Sequence, residues 1–590
     1  MSSTLEADVL VVGGGGAGLR AAIEAGDHGS RVILISKGEA AKCGASPMAG
    51  ADLTLDGKSL NELGFKGVVT DNKEKFFNDI ITQSYFLGNQ KLVKRYVEDA
   101  PKVVEELIDW GMRVDYDEER AIDTEGFNIT HTLLKKAEEL NVKLINDVMF
   151  LELLTSRGTV SGGIGLRVLT GEFIIFKAKA VVIATGGWHK AYIYNAGSRE
   201  LAGDGLAIAY RAGASLGNME FVTFCCNVTH WPPIWNGSIF TYILHSMVGG
   251  ELVNTKNERF LDTYDPEVVK IGTSTEWNKS FVSIATYQEI LNGNGTTHSS
   301  ILYTLKGVSK EKAFANVEKI YPKWRYKGTD FSNLKEKLVH GSGVEVGPSA
   351  EYFEGGIVID EKFSSTLNGL FAAGEATMSI FGANRVVAAT TEMLVEGAIA
   401  GGSAATYANG KEFKELDQNQ IQEFEKKIDG ILSRRGGNKP SSLLKRIQTE
   451  TYSNLGPIRT EKGLEEYLEF IENAKEEYRH TCLQDVSSLK YNKELIEILE
   501  LENILTILEL SANAALIRTE SRGVHYRSDI PITDNDNWLK EIIFKRDKNS
   551  FKTETRSVDF DSIRPPEGKL PYFDMMKMMM KSHSDTPGAH

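Results

Sequence analysis

The chain of 590 residues carries 56 glycines, only 14 prolines and a formal net charge of −14. That length exceeds what one hydrophobic core supports, so two or more domains are expected. The 41% hydrophobic and 25% charged content excludes wholesale disorder and collagen-like repeats, and the acidic balance argues against gripping nucleic-acid phosphates or anionic membranes. Four cysteines, Cys43, Cys225, Cys226 and Cys482, are too few and too scattered for a disulfide scaffold or an iron–sulfur ligand set, and no other metal-ligand pattern stands out. The N-terminus has no basic region ahead of an apolar stretch, so a signal peptide is not expected. No apolar run reaches the roughly eighteen residues of a membrane helix. The expected compartment is a reducing cytoplasm, with attachment to a membrane through a partner left open.

Asp8 to Val12 is a continuous apolar run of the kind a buried parallel strand shows. Gly13, Gly15 and Gly18 follow in G-x-G-x-x-G spacing, with Gly16 and Ala17 between them. Leu19 to Ala25 reads as a helix and Arg31 to Ile35 as a second strand. The first glycine permits a tight turn, the second lets a pyrophosphate approach the backbone, and the third lets helix and strand pack closely. Strand, turn, helix and strand in this order make a dinucleotide fingerprint, which NAD and FAD share. The acidic residue that NAD sites carry at the end of the second strand is missing, since the sequence reads Ile35-Ser36-Lys37. Two later segments repeat the strand-to-glycine theme, Ala180-Val-Val-Ile-Ala-Thr-Gly-Gly187 and Asn368-Gly-Leu-Phe-Ala-Ala-Gly-Glu375, the latter followed by Gly382-Ala-Asn-Arg385. One nucleotide domain assembled discontinuously, with an insertion between the last two segments, accounts for the spacing.

Further along, Glu415 to Leu432, Leu464 to Tyr478 and Lys493 to Ile517 have helical apolar spacing with charged outer faces. Ile532 to Ile563 mixes strand-like runs with charges. The methionine-rich tail Met575-Met576-Lys577-Met578-Met579-Met580 reads as a frayed terminus, with a contact surface as the alternative. No internal repeat is present.

Taken in order, Ile35-Ser36-Lys37, Ala202-Gly-Asp-Gly205, Asn218-Met-Glu-Phe221, Gly355-Gly356-Ile357, Gly374-Glu375, Gly382-Ala-Asn-Arg385 and Glu520-Ser-Arg-Gly-Val-His525, with Trp538 beyond, form a highly specific set. They resemble the flavoprotein subunits of succinate dehydrogenase and fumarate reductase, with their relatives L-aspartate oxidase and adenylylsulfate reductase. The resemblance implies an α/β fold with a discontinuous Rossmann-like FAD-binding domain at 1–235 and 341–412. An α+β capping domain at 236–340 would close over the flavin. A helical domain at 413–530 and a small C-terminal module and tail at 531–590 would follow. By the same resemblance, FAD is contacted by Gly13, Gly15, Gly16, Ala17, Gly18, Ser36, Lys37, Gly44, Ala45 and Ser46. Ala184, Thr185, Gly186, Asp204, Gly374, Arg385 and Ala388 complete the set, with Glu375 on the ribityl or ribose hydroxyls. His525 is expected on the FAD-contacting surface and outside the chemistry.

The departures from the family pattern bear on the reaction. Family members often attach FAD covalently through a histidine shortly after the Ser-Lys pair, but that position is Gly44, and the nearest upstream histidine is His28. FAD is therefore expected to be noncovalent, with Cys43 a small packing residue. Where relatives place His-Pro-Thr, this chain has Phe224-Cys225-Cys226-Asn227; a carboxylate-binding histidine is replaced by Glu351, and another by Phe381. The family's proton-donating arginine corresponds to Lys279, within Asn278-Lys279-Ser280-Phe281-Val282-Ser283; a shifted register would bring in Arg325 instead. Only Arg385 persists among the cationic substrate ligands. Burying two carboxylates without matched donors is costly, and lysine lacks arginine's rigid fork. The pocket thus reads as unsuited to succinate or fumarate.

The expected catalytic set is Arg385 as binder of an acidic substrate group, with Lys279 and Glu351 as acid–base candidates. Glu351 also reads as a binder for an amine or a charge at the cleft rim. Cys225 and Cys226 read as buried small residues ahead of a redox pair, and His230 and Trp231 either reach the flavin or pack under the cap. The resemblance supplies an iron–sulfur subunit as the electron outlet. A stand-alone oxidase, an adenylylsulfate reductase-like enzyme with a sulfur-centred substrate, and a non-catalytic FAD subunit stay open beside it.

Overall fold

A computed structural model describes residues 3–50, 52–117, 119–271, 279–320, 330–385, 387–548, 550–560 and 562–581. The N-terminal apolar run becomes the strand Ser3–Val12, whose Val9, Leu10 and Val11 are fully buried. It is apolar on both faces because it lies inside a parallel sheet, with Val32–Ile35 on one side and Glu172–Ile183 on the other. Lys143–Ile145 extends the sheet beyond Val32–Ile35. The far end of Glu172–Ile183 takes Leu370–Ala372 as a parallel neighbour, so the chain returns to this sheet after a long excursion. The other half of Glu172–Ile183 pairs antiparallel with Thr159–Arg167, which pairs in turn with Val148–Ser156.

Two helices cover one face of the sheet where the glycine turn emerges. Gly16–Asp27 follows the first strand, and Ala389–Ala408 packs along it. The approach is close because Gly401 faces the Ala21 backbone, where a Cβ would sit 2.2 Å from the Ala21 carbonyl oxygen. The first helix begins at Gly16, ahead of the expected start at Leu19, because the glycines at 16 and 18 are part of its first turn.

A second sheet is antiparallel, in the order Val222–Trp231, Val344–Phe353, Ile301–Thr304, Glu251–Val253. The helix Lys279–Leu291 lies against it, and the Ser283 hydroxyl donates to the Phe224 carbonyl at 2.9 Å. The long strands Val222–Trp231 and Val344–Phe353 pair with each other at its edge.

The C-terminal half contains the helices Gln418–Ser433, Pro440–Asn454, Glu461–His480 and Lys493–Ile517. Asp417, Thr460 and Asn492 accept from backbone N–H groups of the first turns, which fixes three of the four starts. Pro440 opens the other, at a position where no backbone donor is needed. Phe424, Ile428 and Ile431 pack with Leu495 and Ile498 over Met149, Leu154 and Ile164, forming a satellite core on the antiparallel strands.

The C-terminal hairpin of Lys540–Asp547 and Ser550–Ser557 is joined to the body, since Leu216 pairs with Phe544 and Gly217 with Ile543. The methionine tail departs from the expected frayed end. Tyr572–Lys581 is a helix, and Met575, Met576, Met579 and Met580 are buried while Met578 is exposed. Burial at i, i+1, i+4 and i+5 is one face of a helix, and tertiary packing outweighs the fraying of a chain end. Phe573 meets Phe281 edge-on with ring centroids 5.9 Å apart, Lys577 pairs with Asp265 at 3.2 Å, and the Tyr572 hydroxyl donates to the Gly523 carbonyl at 2.6 Å. Among the described residues, no helix is long and apolar enough to cross a membrane.

Candidate active site

The glycine turn sits where three strands end together. Gly13 has φ +124°, and a Cβ there would lie 2.1 Å from the Ala184 carbonyl oxygen. A Cβ on Gly18 would lie 1.9 Å from the Gly13 carbonyl oxygen, so the third glycine of the motif sets the helix against the strand end. The Gly16 N–H donates to Ser46 Oγ at 3.1 Å, which brings the loop carrying Gly44, Ala45 and Ser46 onto the helix N-terminus. No acidic residue occupies the first turn of that helix. Gly374 lies against Ala17, where a Cβ would come within 2.8 Å of the Ala17 Cβ. Ala388, at the start of Ala389–Ala408, donates its N–H to Thr54 Oγ1 at 2.8 Å.

Ser36 and Lys37 end the second strand. Ser36 Oγ lies 3.3 Å from Cys43 Sγ, whose thiol burial pushes up. Lys37 Nζ donates to Asp204 Oδ2 at 2.7 Å and to Glu500 Oε1 at 2.5 Å, and Asn503 donates to Asp204 Oδ1 at 2.7 Å. Burial opposes the ammonium charge, but Asp204 and Glu500 outweigh it and hold the lysine above its ordinary range. Lys37 and Asp204 are thus engaged with each other and with the Lys493–Ile517 helix.

Glu375 follows the third strand. It accepts from the Gly187 N–H at 2.9 Å and from the Phe353 N–H at 3.3 Å, tying the second strand-to-glycine turn to the end of Val344–Phe353. Gly186 is left-handed at φ +71° beside it. The Thr185 hydroxyl is buried with no hydrogen-bond partner among the described residues. Burial pushes the Glu375 carboxyl up to about 8. Three further buried carboxyls, Glu354, Glu392 and Glu396, surround this region, and sequence reasoning missed them. Glu354 is held at about 8 and Glu392 at about 7 by burial, and burial drives Glu396 well above the ordinary range. Glu396 accepts from the Gly374 N–H at 2.7 Å. A signal was available: Glu392 and Glu396 are an i, i+4 pair in an otherwise small and apolar helix.

Arg385 stacks over the Tyr352 ring at 4.6 Å and donates to the Val387 carbonyl. Tyr352 in turn donates its hydroxyl to Glu392. One residue before it, Glu351 Oε2 accepts from Lys279 Nζ at 2.8 Å, and the ammonium lies 4.9 Å from the Tyr242 ring. The two acid–base candidates of the sequence, 72 residues apart, therefore meet. The Glu351 carbonyl accepts from His189, which burial depresses to about 4 and so keeps neutral. Arg325 lies outside the described residues.

The remaining candidates turn elsewhere. Cys225 and Cys226 are buried in the Val222–Trp231 strand, and Asn227 is bonded to His245 at 2.9 Å. His230 stacks on Tyr194 at 3.8 Å and contacts Ser349, with burial depressing it to about 3, so it packs against the second sheet. Trp231 stacks on His298 at 4.0 Å. Phe381 packs edge-on against Tyr96 at 5.5 Å. His525 is fully buried, 2.7 Å from Arg459, in a cluster where burial and then Arg459, Arg518 and Arg527 depress it.

Residues 8–390 match the family model described as an FAD binding domain, and 444–570 match the fumarate reductase flavoprotein C-terminal model. The chain belongs to the fumarate reductase/succinate dehydrogenase flavoprotein family. It is 30% identical to one of the subunits of the CoM/CoB fumarate reductase of Methanothermobacter marburgensis, over 92% of this chain and 98% of that one. It is 29% identical to the fumarate reductase flavoprotein subunit of Escherichia coli over 95% of each chain. Among solved structures, a quinol fumarate reductase chain from E. coli superposes with a TM-score of 0.85 at 25% identity, over 96% of this chain and 99% of that one. Adenylylsulfate reductase from Archaeoglobus fulgidus shares the fold at 20% identity and a TM-score of 0.74, over 95% of this chain and 98% of that one. The flavoprotein is an FAD-dependent oxidoreductase. Its residues fit the cofactor: the Gly13–Gly18 cradle has no room for a Cβ at its first and third glycines, the helix N-terminus is free of acidic side chains, and Thr185 Oγ1 is an orphaned buried hydroxyl beside Glu375's turn.

Proposed function

We propose that the flavoprotein passes electrons between a small substrate bearing an acidic group and a separate iron–sulfur subunit, and that neither succinate nor fumarate is its substrate. FAD is held without a covalent bond, since Gly44 stands where the attaching histidine would be. When bound, FAD supplies two-electron redox chemistry. The chain's own residues do the rest. Gly13–Gly18 and Ser46 hold the phosphates, Glu375 meets hydroxyl groups, and Arg385 binds the acidic group of the substrate. Lys279 and Glu351 exchange a proton with the substrate, and residues 236–340 form the closing cap.

One observation carries this reading. Lys279 comes from the cap helix and closes to 2.8 Å on Glu351, next to the Tyr352 ring that supports Arg385. Ionisable groups of opposite sign thus converge at the end of Val344–Phe353, beside the turn that Glu375 ties down. The other positions where a dicarboxylate needs donors are committed: Asn227 to His245, and Phe381 to Tyr96. The iron–sulfur partner is supported by the relatives, which are named as subunits. A cytoplasmic protein that reaches a membrane only through that partner belongs to the same proposal.

The test is purification together with its binding partners, followed by visible spectroscopy and assay. Co-purified iron with a broad shoulder beneath the flavin bands, and no turnover with fumarate or succinate, is the expected result. A bare flavin spectrum with peroxide formation points instead to a stand-alone oxidase. Since the relatives are named for fumarate or succinate, reduction of fumarate at ordinary enzymatic rates is the outcome that overturns the substrate reading.

A further inference from the structure

Lys279 is 4% exposed, and the carboxylate that holds it is the more open of the two, with the Glu351 side chain 20% exposed. Solvent therefore reaches Glu351 more readily than it reaches the ammonium. A buried ammonium is an anion-binding group only while its charge is uncompensated, and here the compensation is built into the neighbouring strand. Glu351 cannot swing away at no cost, because its side chain would leave a buried ammonium without that carboxylate. Its backbone carbonyl accepts from His189 at 2.7 Å, and the residues on either side, Ala350 and Tyr352, are paired in the sheet to Phe224 and Thr223. Glu351 and Arg385 also act on the same group, since both contribute to the charge field at Glu375. They therefore lie within electrostatic reach of one ligand.

We propose that Glu351 sets the charge selectivity of the substrate site: by neutralising Lys279 it restricts the site to substrates with a single anionic group. The second anionic end of a dicarboxylate would face the Glu351 carboxylate where it needs a cation. A monoanion anchored at Arg385 presents its uncharged end there and meets an ion pair that is already satisfied. This proposal rests on the placement of the substrate at Arg385 and adds the class of substrate and the residue that enforces it.

The FAD-loaded protein is titrated with two pairs of ligands matched in length, crotonate against fumarate and butyrate against succinate, with the flavin absorbance as readout. In the unsubstituted protein the monocarboxylate of each pair is expected to bind at least about tenfold more tightly. Glu351→Gln takes this carboxylate away from Lys279, so dicarboxylate affinity is expected to rise at least about tenfold while monocarboxylate affinity moves far less. In the double variant Glu351→Gln with Lys279→Gln that gain disappears. Glu351→His serves the same purpose should the glutamine variant lose its flavin. Equal affinities for the two members of each pair in the unsubstituted protein overturn the proposal, whatever the variants do. Binding that is lost in Arg385→Lys, yet unchanged in selectivity by the Glu351 variants, overturns the proposal alone. Binding that is indifferent to Arg385→Lys overturns both the proposal and the substrate placement beneath it.

Discussion

Tyr352 donates its hydroxyl to Glu392 while its ring carries the Arg385 guanidinium 4.6 Å above the centroid. One side chain thus satisfies a buried carboxyl and shelves a cation. Tyr352→Phe leaves the ring in place and takes one donor from Glu392, at a cost of about 1–3 kcal/mol in urea unfolding. Ligand affinity should change little. Tyr352→Leu removes the shelf as well, and anionic ligands should bind several-fold more weakly. Unfolding curves and flavin-perturbation titrations of the two variants separate the roles.

Gly16 and Gly18 belong to the same turn yet differ in what surrounds them. An added Cβ at Gly18 meets a backbone carbonyl 1.9 Å away, whereas at Gly16 it meets the flexible Met393 side chain, with Sδ at 2.2 Å. Gly18→Ala is expected to abolish flavin retention on gel filtration. Gly16→Ala should weaken it modestly, and Met393→Ala should restore part of the loss.

Glu354 is fully buried, and burial holds its carboxyl at about 8, against 4.5 for an exposed glutamate. The folded state therefore binds this proton more tightly than the unfolded chain does. Its contribution to stability is complete below the unfolded value, falls as pH rises, and is lost through the folded one. Glu354→Gln should flatten the decline of the urea midpoint between about pH 5 and 8. An unchanged slope would place the decline on other groups.

Glu500 accepts from both Lys37 and Lys190. Glu500→Ala leaves two ammonium groups in the interior without that carboxylate, so destabilisation of about 3–5 kcal/mol is expected. The substitution lies outside the Arg385 region, and urea unfolding should register it before any ligand titration does.

The helix Tyr572–Lys581 lies beyond residue 570, where the match to the family's C-terminal model stops. It contacts Phe281, Asp265 and Gly523. A chain ending at Pro571 should melt several degrees lower. It should also be nicked by trypsin faster at Lys270 and Lys279 than the chain that carries the helix. Met576→Ala, in a site 1% exposed, should cost about 2–5 kcal/mol.

The parts of this protein that could be read from sequence are those whose physics is local. The apolar run at Asp8–Val12, the glycine spacing after it and the helical periodicity of Lys493–Ile517 each follow from neighbours within a few turns. Lys37 is different. The family resemblance assigned it a cofactor contact; its protein partners Asp204 and Glu500 lie 167 and 463 residues away, and no periodicity encodes them. Lys279 and Glu351 were found as separate substitutions in a family pattern, and only the fold revealed that they neutralise each other. Glu354, Glu392 and Glu396 escaped because a glutamate in sequence is read as solvated. Burial is a property of the assembled interior, and each of these sits beside a strand end or a glycine turn. The methionine helix was missed because a terminal position outweighed its i, i+4 apolar spacing.

The ion pairs of Lys37 also bear on the order in which the chain can fold. During synthesis the glycine turn and its helix leave the ribosome first, yet the carboxylate of Glu500 emerges only when most of the polypeptide has been made. The strand Leu370–Ala372 likewise arrives long after the sheet it completes. The nucleotide domain cannot close on its own N-terminal residues, and nascent chains must wait, partly open, for their last third. Such a chain should depend on holding chaperones during translation. Flavin should be captured late, after release, by a protein that is already nearly whole.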